Sequence, residues 1–229
     1  MKLGPRRRAL STFVPVIALM MGVLSVGAAS PAAAYGSCSI SLPSKVRVDA
    51  PFERIKASLK SDCRESNTQY ASWDVVHPRT GFASIFIFDG ATTDNWDFYS
   101  WENVGTFTVE PSSAWDYDYN DVGQNTRTIA VRFNSRLGLK TSRSGKKVTI
   151  KATATRYSTS DTYRPWKGVK VGIYAKSKAS GKWKKIKTRK TNSKGVATYK
   201  FKRSSKRYYQ VRTSDISSTW GRTSSTTRR

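Results

Sequence analysis

Residues 182–190, with the sequence KWKKIKTRK, are the part of the chain whose residue types most clearly indicate what kind of ligand it could bind. Six cations and one tryptophan fall within nine positions. Such a segment attracts phosphate-bearing polymers, because lysine and arginine displace the counterions condensed on them. The residues that we predict to bind polyanions are Lys176, Lys178, Lys182, Trp183, Lys184, Lys185, Lys187, Arg189, Lys190, Lys200, Lys202, Arg203 and Arg207.

The distribution of charge along the chain supports a binding role. Residues 140–229 carry 27 basic and 2 acidic side chains, a net charge of +25, whereas residues 35–139 carry 10 basic and 13 acidic ones. Lysines on edge strands also keep sheets from pairing with one another, so a merely solvated basic face is the alternative. The charge exceeds what solubility requires. We therefore expect a partner among anionic envelope polymers: teichoic acid, polysaccharide or extracellular DNA.

Two acidic and aromatic segments, 89–101 and 115–121, suggest a different ligand. Paired carboxylates could act as acid and base on a glycosidic bond, but the module is short and these segments are rich in turn residues, which favours binding over catalysis. We expect a non-catalytic protein without a cofactor, with carbohydrate binding as the alternative function. The aromatic side chains that could stack on a sugar are Trp96, Trp101, Trp115, Tyr117 and Tyr119.

Asp116, Asp118 and Asn120 have the 1, 3, 5 spacing of a calcium loop. Asp121 stands where an EF-hand requires glycine, and Arg127 stands where it requires a bidentate glutamate, so an EF-hand is excluded. Another calcium geometry between loops stays open at this point.

Cys38 and Cys63 are the two cysteines of the chain, and His77 is its one histidine. Without a CxxC pair or further histidines, metal ligation and thiol catalysis are disfavoured, and a disulfide closing a loop of about 25 residues is expected. His77 directly precedes Pro78 and lies near no nucleophile-elbow motif, so we predict a structural role for it.

Residues 1–34 have the pattern of a signal peptide. Three arginines at positions 6–8 precede an apolar stretch over residues 13–26, and three alanines follow at 32–34. The apolar stretch is shorter than a membrane span requires. We expect a secreted chain that begins near Tyr35, does not insert into a membrane, and is held at the cell wall, if at all, without a covalent bond.

Both halves of the remaining chain show the period-two alternation of short strands. Turn signals at 78–81 and 192–195 predict two hairpins. A Gly/Ser/Lys-rich stretch at 138–147 marks a linker or domain edge between modules 35–137 and 148–229. Strands are predicted at 45–49, 55–63, 70–77, 82–88, 106–110, 128–134, 148–154, 169–175, 182–190, 197–201 and 209–213.

The motifs SRSGKKVTIKATATRY, RPWKGVKVGIY, GKWKKIKTRKTNSKGVATYKF, YYQVRT and STWG, over residues 135–225, resemble the bacterial Ig-like repeats of secreted actinobacterial proteins. The resemblance implies a seven-stranded sandwich of adhesive or spacer type without enzymatic activity. Cys63 and Trp73, ten residues apart, make the first module look like a divergent relative. The expected fold class is all-β, with two tandem Ig-like sandwiches. Contact of the acidic module with the basic one, covering its charge, stays open.

Overall fold

A computed structural model describes residues 35–229, and the predicted signal peptide lies outside these residues. The described chain forms two β-sandwiches, so the predicted all-β class is confirmed. Within residues 35–229, no helix has the length and apolar character needed to cross a membrane. The first sandwich contains β1 (Ser37–Cys38), β2 (Ile40–Ser41), β3 (Lys45–Val48), β4 (Phe52–Leu59), α1 (Ser61–Glu65), β5 (Thr68–His77), β6 (Gly81–Asp89), β7 (Thr93–Tyr99), β8 (Gly105–Asp116), β9 (Gly123–Gln124) and β10 (Arg127–Phe133).

The first sandwich packs a five-stranded sheet, in the order β3-β10-β8-β5-β6, against a three-stranded sheet, β2-β4-β7. Alternating side chains of both sheets fill the core, because successive residues of a strand point to opposite faces. Trp73 lies fully buried at its centre, and its indole N–H donates to the carbonyl oxygen of Asn125 at 2.8 Å. Aromatic rings supply much of this core: Trp73, Phe86, Phe88, Trp96, Phe98 and Phe107.

The predicted disulfide between Cys38 and Cys63 is present. Cys63 lies in α1, and Cys38 lies in β1, which pairs in parallel with β9. The bridge therefore holds the first strand of the described chain against the sandwich. The strand predicted at 55–63 ends at Leu59, because the chain turns into α1 there.

The second sandwich contains β11 (Ser135–Ser144), β12 (Lys147–Tyr157), β13 (Tyr163–Pro165), β14 (Lys170–Lys176), β15 (Lys184–Lys190), β16 (Val196–Lys202), β17 (Tyr208–Thr213) and β18 (Thr227–Arg228). In one sheet β12 pairs with β11 on one side and with β13 and β16 on the other, and the second sheet has the order β15-β14-β17-β18. Between the sheets lie small and branched side chains, with Ala152, Ala154, Ala175 and Ala197 among them.

The predicted hairpin at 78–81 is present between β5 and β6, where Gly81 has a φ of 77°. The turn predicted at 192–195 is present, but it does not form a hairpin, because it leads from β15 to β16, which lie in opposite sheets and do not pair. Gly195 has a φ of 71° there, and glycine is required for a second reason. A Cβ on Gly195 would lie 2.3 Å from the carbonyl oxygen of Ala154. The turn is thereby packed against β12.

Residues 138–147 do not form the predicted linker. They complete β11, make the turn at Gly145 and begin β12, and this hairpin pairs from Ser135 with Arg156 to Ser144 with Lys147. Only Asn134 separates β10 from β11. The Gly/Ser/Lys composition belongs to a hairpin in which the half-buried Leu137 and Leu139 face the core and alternate with exposed residues.

Trp220 lies at the junction of the two sandwiches. Its indole N–H donates to the carbonyl oxygen of Val46 at 2.6 Å, and its backbone N–H donates to that of Phe133 at 3.0 Å. The guanidinium carbon of Arg132 lies 4.5 Å from the centroid of the ring, which is 3% exposed. Tyr157, from β12, is buried in the core of the first sandwich. The two sandwiches therefore share a packed interface and not a flexible connection.

Candidate polyanion-binding surfaces

Five exposed lysines share the outer side of the sheet formed by β11, β12 and β16. The alternation of each strand buries the residues between them, such as Val148 and Ile150, and this leaves every second side chain facing water. Serine and threonine occupy most of the other outward positions. We call this surface the lysine face, formed by Lys140, Lys147, Lys151, Lys200 and Lys202.

Two pairs of lysines on the lysine face stand directly opposite each other. Lys140 pairs with Lys151 across β11 and β12, and Lys147 pairs with Lys202 across β12 and β16. Like charges in directly opposed positions of an antiparallel ladder destabilise the sheet. Because these three strands contain no aspartate or glutamate, their own residues do not compensate the repulsion.

The outer side of the opposite sheet interleaves cations with aromatic rings. Lys176 places its ammonium nitrogen 4.8 Å from the ring centroid of Trp183 and 5.8 Å from that of Tyr208. The guanidinium carbon of Arg228 lies 5.4 Å from the centroid of Tyr208. We call this surface the aromatic–cation face, formed by Tyr174, Lys176, Trp183, Tyr208, Arg212 and Arg228.

A glycine allows the centre of the aromatic–cation face to be flat. A Cβ on Gly172 would lie 2.9 Å from the ring of Tyr174, so that ring rests over the glycine. The guanidinium carbon of Arg212 lies 4.5 Å from the centroid of the same ring, and its Nη2 donates to Gln210 Oε1 at 2.9 Å. Arg212 is thus held in place with part of its charge still directed to solvent.

The structure divides the predicted polyanion-binding residues instead of gathering them on one broad face. Alternation within a strand shows which residues share a side, but it does not show which sheet the strand joins. β15 and β16, although joined by a short turn, belong to opposite sheets. Lys200 and Lys202 lie on the lysine face; Lys176, Trp183, Lys185 and Lys190 lie on the outer side of the opposite sheet; Lys184, Lys187 and Arg189 lie along the edge strand β15; Lys178 and Lys182 lie in the loop before β15; and Arg203 and Arg207 flank the turn between β16 and β17.

Several members of the two faces were absent from the predicted set. Lys140 and Lys147 fall in the stretch 138–147 that is predicted to be a linker edge, whereas Lys151 is an outward residue of the predicted strand 148–154 that is not included in the predicted site. Their alternation with buried residues was the available signal. Arg212 and Tyr174 are outward residues of strands whose inward residues were predicted correctly, so extending the alternation would have found them.

The two acidic residues of the second sandwich do not neutralise either face. Asp161 accepts a hydrogen bond from the hydroxyl of Ser100 in the first sandwich, and Asp215 Oδ1 accepts from the backbone N–H of Gly221 at 2.7 Å. Across residues 35–229, the one ion pair within 4 Å joins Arg54 to Asp97 in the first sandwich. Within residues 35–229, therefore, no ion pair joins a carboxylate of the first sandwich to a cation of the second.

The five aromatic residues predicted as an alternative sugar site do not come together. Residues 89–101, which are predicted from their composition to be rich in turns, contain the strand β7 (Thr93–Tyr99), and this strand buries Trp96 in the core. Trp96 is therefore unable to stack on a sugar. Trp115 stacks on Tyr70, with ring centroids 4.1 Å apart. The other three, Trp101, Tyr117 and Tyr119, are exposed in two separate loops.

The calcium-like spacing after β8 has a structural explanation. Asp116 Oδ1 accepts the backbone N–H groups of Asp118 and Asn120, both at 2.9 Å. These hydrogen bonds, that of Asn120 foremost, lower the pKa of the Asp116 carboxyl, although burial opposes the shift. The carboxylate closes its own turn. Nowhere in the described chain do three or more His, Cys, Asp or Glu side chains form a group suited to a metal ion.

His77 has the surroundings of a structural residue. Its ring is buried, Nδ1 lies 3.0 Å from the hydroxyl oxygen of Thr80, and a Cβ on Gly105 would lie 2.6 Å from Nε2. The imidazole therefore joins the β5–β6 hairpin to the start of β8.

No family model matches the chain, and no curated protein matches it. Among solved structures, the D0-D1 domain of intimin aligns with 84% of this chain and 96% of its own length, at 14% identity and a TM-score of 0.29. The human OSCAR ligand-binding domain aligns with 85% of this chain and 99% of its own, at 8% identity and a TM-score of 0.30. Trypsin-activated alpha-2-macroglobulin from Escherichia coli aligns with 86% of this chain, at 10% identity and a TM-score of 0.30, and the chain spans 15% of that protein. At these values the likenesses carry no argument about function.

Proposed function

We propose that this chain is a secreted, non-catalytic protein whose second sandwich binds anionic polymers of the cell envelope, such as teichoic acid, polysaccharide or extracellular DNA. The lysine face would make the electrostatic contacts. The aromatic–cation face would add a second contact surface on the other side of the same sandwich.

The observation that carries the proposal is that two pairs of lysines stand directly opposite each other on the lysine face. Lys140 faces Lys151, and Lys147 faces Lys202, in strands without any carboxylate. Replacing one member of either pair by threonine would relieve the repulsion and leave the alternation intact. A sheet that keeps these lysines at a cost in stability is suited to a negatively charged partner, which would neutralise them on binding.

Two further features support the proposal. The cations of the aromatic–cation face are held over rings, so a polyanion meets charges that have already lost part of their conformational freedom. The disulfide between Cys38 and Cys63 suits an oxidising compartment outside the cytoplasm.

The test is co-sedimentation of residues 35–229 with purified Gram-positive cell walls, before and after removal of teichoic acid, from low salt to about 0.5 M. We expect binding that falls steeply and log-linearly with salt. Loss of binding after extraction would identify teichoic acid as the polymer. Binding that is absent at low salt, or unchanged at high salt, would contradict the proposal.

Two double variants, each of which removes two cations, separate the effect of the lysine face from the effect of net charge. Lys151→Gln with Lys200→Gln removes charge from the lysine face, and Lys56→Gln with Arg79→Gln removes the same charge from exposed positions of the first sandwich. We expect only the first variant to weaken binding. Equal weakening by both would mean that the lysine face has no special role.

A further inference from the structure

A cleft of about 370 Å³ opens on the first sandwich, away from the strands that carry the basic faces. Phe82 and Trp101 line it, and they are 65% and 69% exposed. The buried ring of Trp96 lies beneath. Thr80, Glu102 and Asn103 contribute polar side chains to the lining. A concave surface of this size, with exposed rings and a few polar groups, has the composition of a small-ligand site.

Trp101 is displayed by a turn that is anchored on both sides of it. Before it, the backbone N–H of Ser100 donates to the carbonyl oxygen of Pro51 at 2.9 Å, and the Ser100 hydroxyl donates to Asp161. After it, the Glu102 N–H donates to the carbonyl oxygen of Tyr99 at 3.0 Å, and Glu102 Oε2 accepts the Tyr99 N–H at 3.2 Å. Hydrogen bonds on both sides therefore fix the backbone that carries Trp101, the most exposed tryptophan of the sandwich.

The indole of Trp101 is also supported from one side. The ring of Tyr99 stacks on it, with centroids 5.6 Å apart and an interplanar angle of 18°, and Phe52 packs on Tyr99 at 6.1 Å. Phe52, Tyr99 and Trp101 thus form a row of rings, and Trp101 at its end remains 69% exposed to a ligand. Preorganised rings of this kind bind with little loss of conformational freedom.

The charge of the cleft selects among ligands that stack on aromatic rings. The cleft is lined by Glu102 and by no lysine or arginine. Residues 35–139 as a whole carry 13 acidic and 10 basic side chains. A nucleotide or other phosphorylated ligand would meet a carboxylate without a compensating cation. A neutral ligand with apolar C–H faces and hydroxyl groups matches both the rings and the polar groups.

We propose that this aromatic cleft binds a pyranose ring of a neutral glycan. Trp101 and Phe82 contact the C–H faces of the sugar, while Glu102, Asn103 and Thr80 exchange hydrogen bonds with its hydroxyl groups. None of the residues that line the cleft belongs to the basic sandwich, so the chain would recognise two chemically different polymers.

The experiment is isothermal titration of residues 35–229 with three neutral trisaccharides, cellotriose, mannotriose and N,N′,N″-triacetylchitotriose, in about 0.5 M NaCl, where binding to the basic faces is screened. We expect at least one of them to bind with a Kd below about 10 mM, equally well in about 0.05 M NaCl. If none binds, or if binding falls with salt, the proposal is overturned.

Variants then locate the site. We expect Trp101→Ala to weaken binding about tenfold and Phe82→Ala about fivefold, because each removes a contact surface, whereas Trp101→Phe keeps a ring and stays within about threefold. The matched control is Tyr119→Ala, which removes an aromatic ring that is 79% exposed and does not line the cleft. Wild-type affinity in Trp101→Ala, or equal loss in Tyr119→Ala, would overturn the proposal.

Discussion

The two sandwiches have similar architectures and different sources of stability. The first has a disulfide and a core of large aromatic rings, and its surface carries an exposed ion pair between Arg54 and Asp97. The second has a core rich in alanine, valine and isoleucine, and its strands carry cations without carboxylates. The comparison indicates that the outward residues of the second sandwich are not those that would best stabilise its sheets.

The junction between the sandwiches allows the strongest test of this comparison. Trp220 comes from the second sandwich, yet its indole bonds to β3 and lies near three cations of the first: Lys45, Arg47 and Arg132. We expect Trp220→Ala to lower the free energy of unfolding by about 3–5 kcal/mol, because the substitution leaves a cavity and removes the cation–π contacts of these three residues. Urea unfolding followed by circular dichroism measures it.

The control for the junction is Trp101→Ala, which removes an exposed tryptophan and should change the free energy of unfolding by less than about 0.5 kcal/mol. A similar small effect of Trp220→Ala would show that the sandwiches do not depend on this interface.

Loss of the disulfide should affect the first sandwich. We expect the double variant Cys38→Ser with Cys63→Ser to lower its stability by about 3 kcal/mol, because the bridge no longer restricts a loop of roughly 25 residues in the unfolded chain. Hydrogen exchange resolves where the loss occurs. Faster exchange in β4, β5 and β9, with β12 and β14 unchanged, is the expected pattern, and equal loss in both sandwiches would mean that they unfold as a single unit.

The lysine face should control the salt dependence of binding. With a double-stranded DNA oligonucleotide as the polyanion, the slope of log K against log salt should become less negative by about one unit for each phosphate-contacting lysine that is removed. For Lys151→Gln with Lys200→Gln we expect a change of about two units and a loss of about tenfold in affinity near 0.15 M salt. Fluorescence anisotropy across a salt series measures both, and an unchanged slope would exclude these lysines from the contact.

A single substitution separates binding from mere solvation of the lysine face. Lys151→Glu places a carboxylate opposite Lys140, so we expect the free energy of unfolding to rise by about 0.2–1 kcal/mol while DNA affinity falls. Thermal and urea unfolding, with anisotropy on the same samples, report the two effects. Higher stability with unchanged affinity would favour the alternative in which the lysines only keep the sheet soluble.

Whether the sequence alone predicted a strand or the disulfide depended on the residue pattern of that segment. Strands such as β12 and β14 were predicted because branched residues alternate with lysines, and the disulfide was predicted because the chain has only two cysteines. β11 was missed because its inward positions are two half-buried leucines among small and polar residues. β7 is not predicted because Asp94, Asn95 and Asp97, residue types that are depleted in strands, surround the alternating Trp96 and Phe98.

The candidate sites were harder to predict than the strands, because a site depends on which strands become neighbours. The segment 182–190 was found from local density alone, but its opposition to β16 across the sandwich follows from sheet order. The aromatic cleft unites Phe82 of β6 with Trp101 of the loop after β7, and only Trp101 stood in a segment that suggested sugar binding.

The smallest expected effect concerns the Asp116 turn and depends on pH. The N–H groups of Asn120 and Asp118 lower the pKa of the Asp116 carboxyl below its ordinary value of 3.8, so the carboxylate stabilises the folded chain fully above that pH. This contribution disappears as pH falls through the lowered pKa, because protonation then weakens the hydrogen bonds in the folded state. We expect Asp116→Asn, which keeps an acceptor oxygen but no charge, to be slightly less stable than wild type at pH 7, by a difference that shrinks as the pH falls below 3.8. Urea unfolding between pH 2 and pH 7 compares the two, with the exposed neighbour Asp118→Asn as the control. If the difference persists undiminished at pH 2, the charge of Asp116 is not what closes the turn, and a cation held between the loops would again have to be considered there.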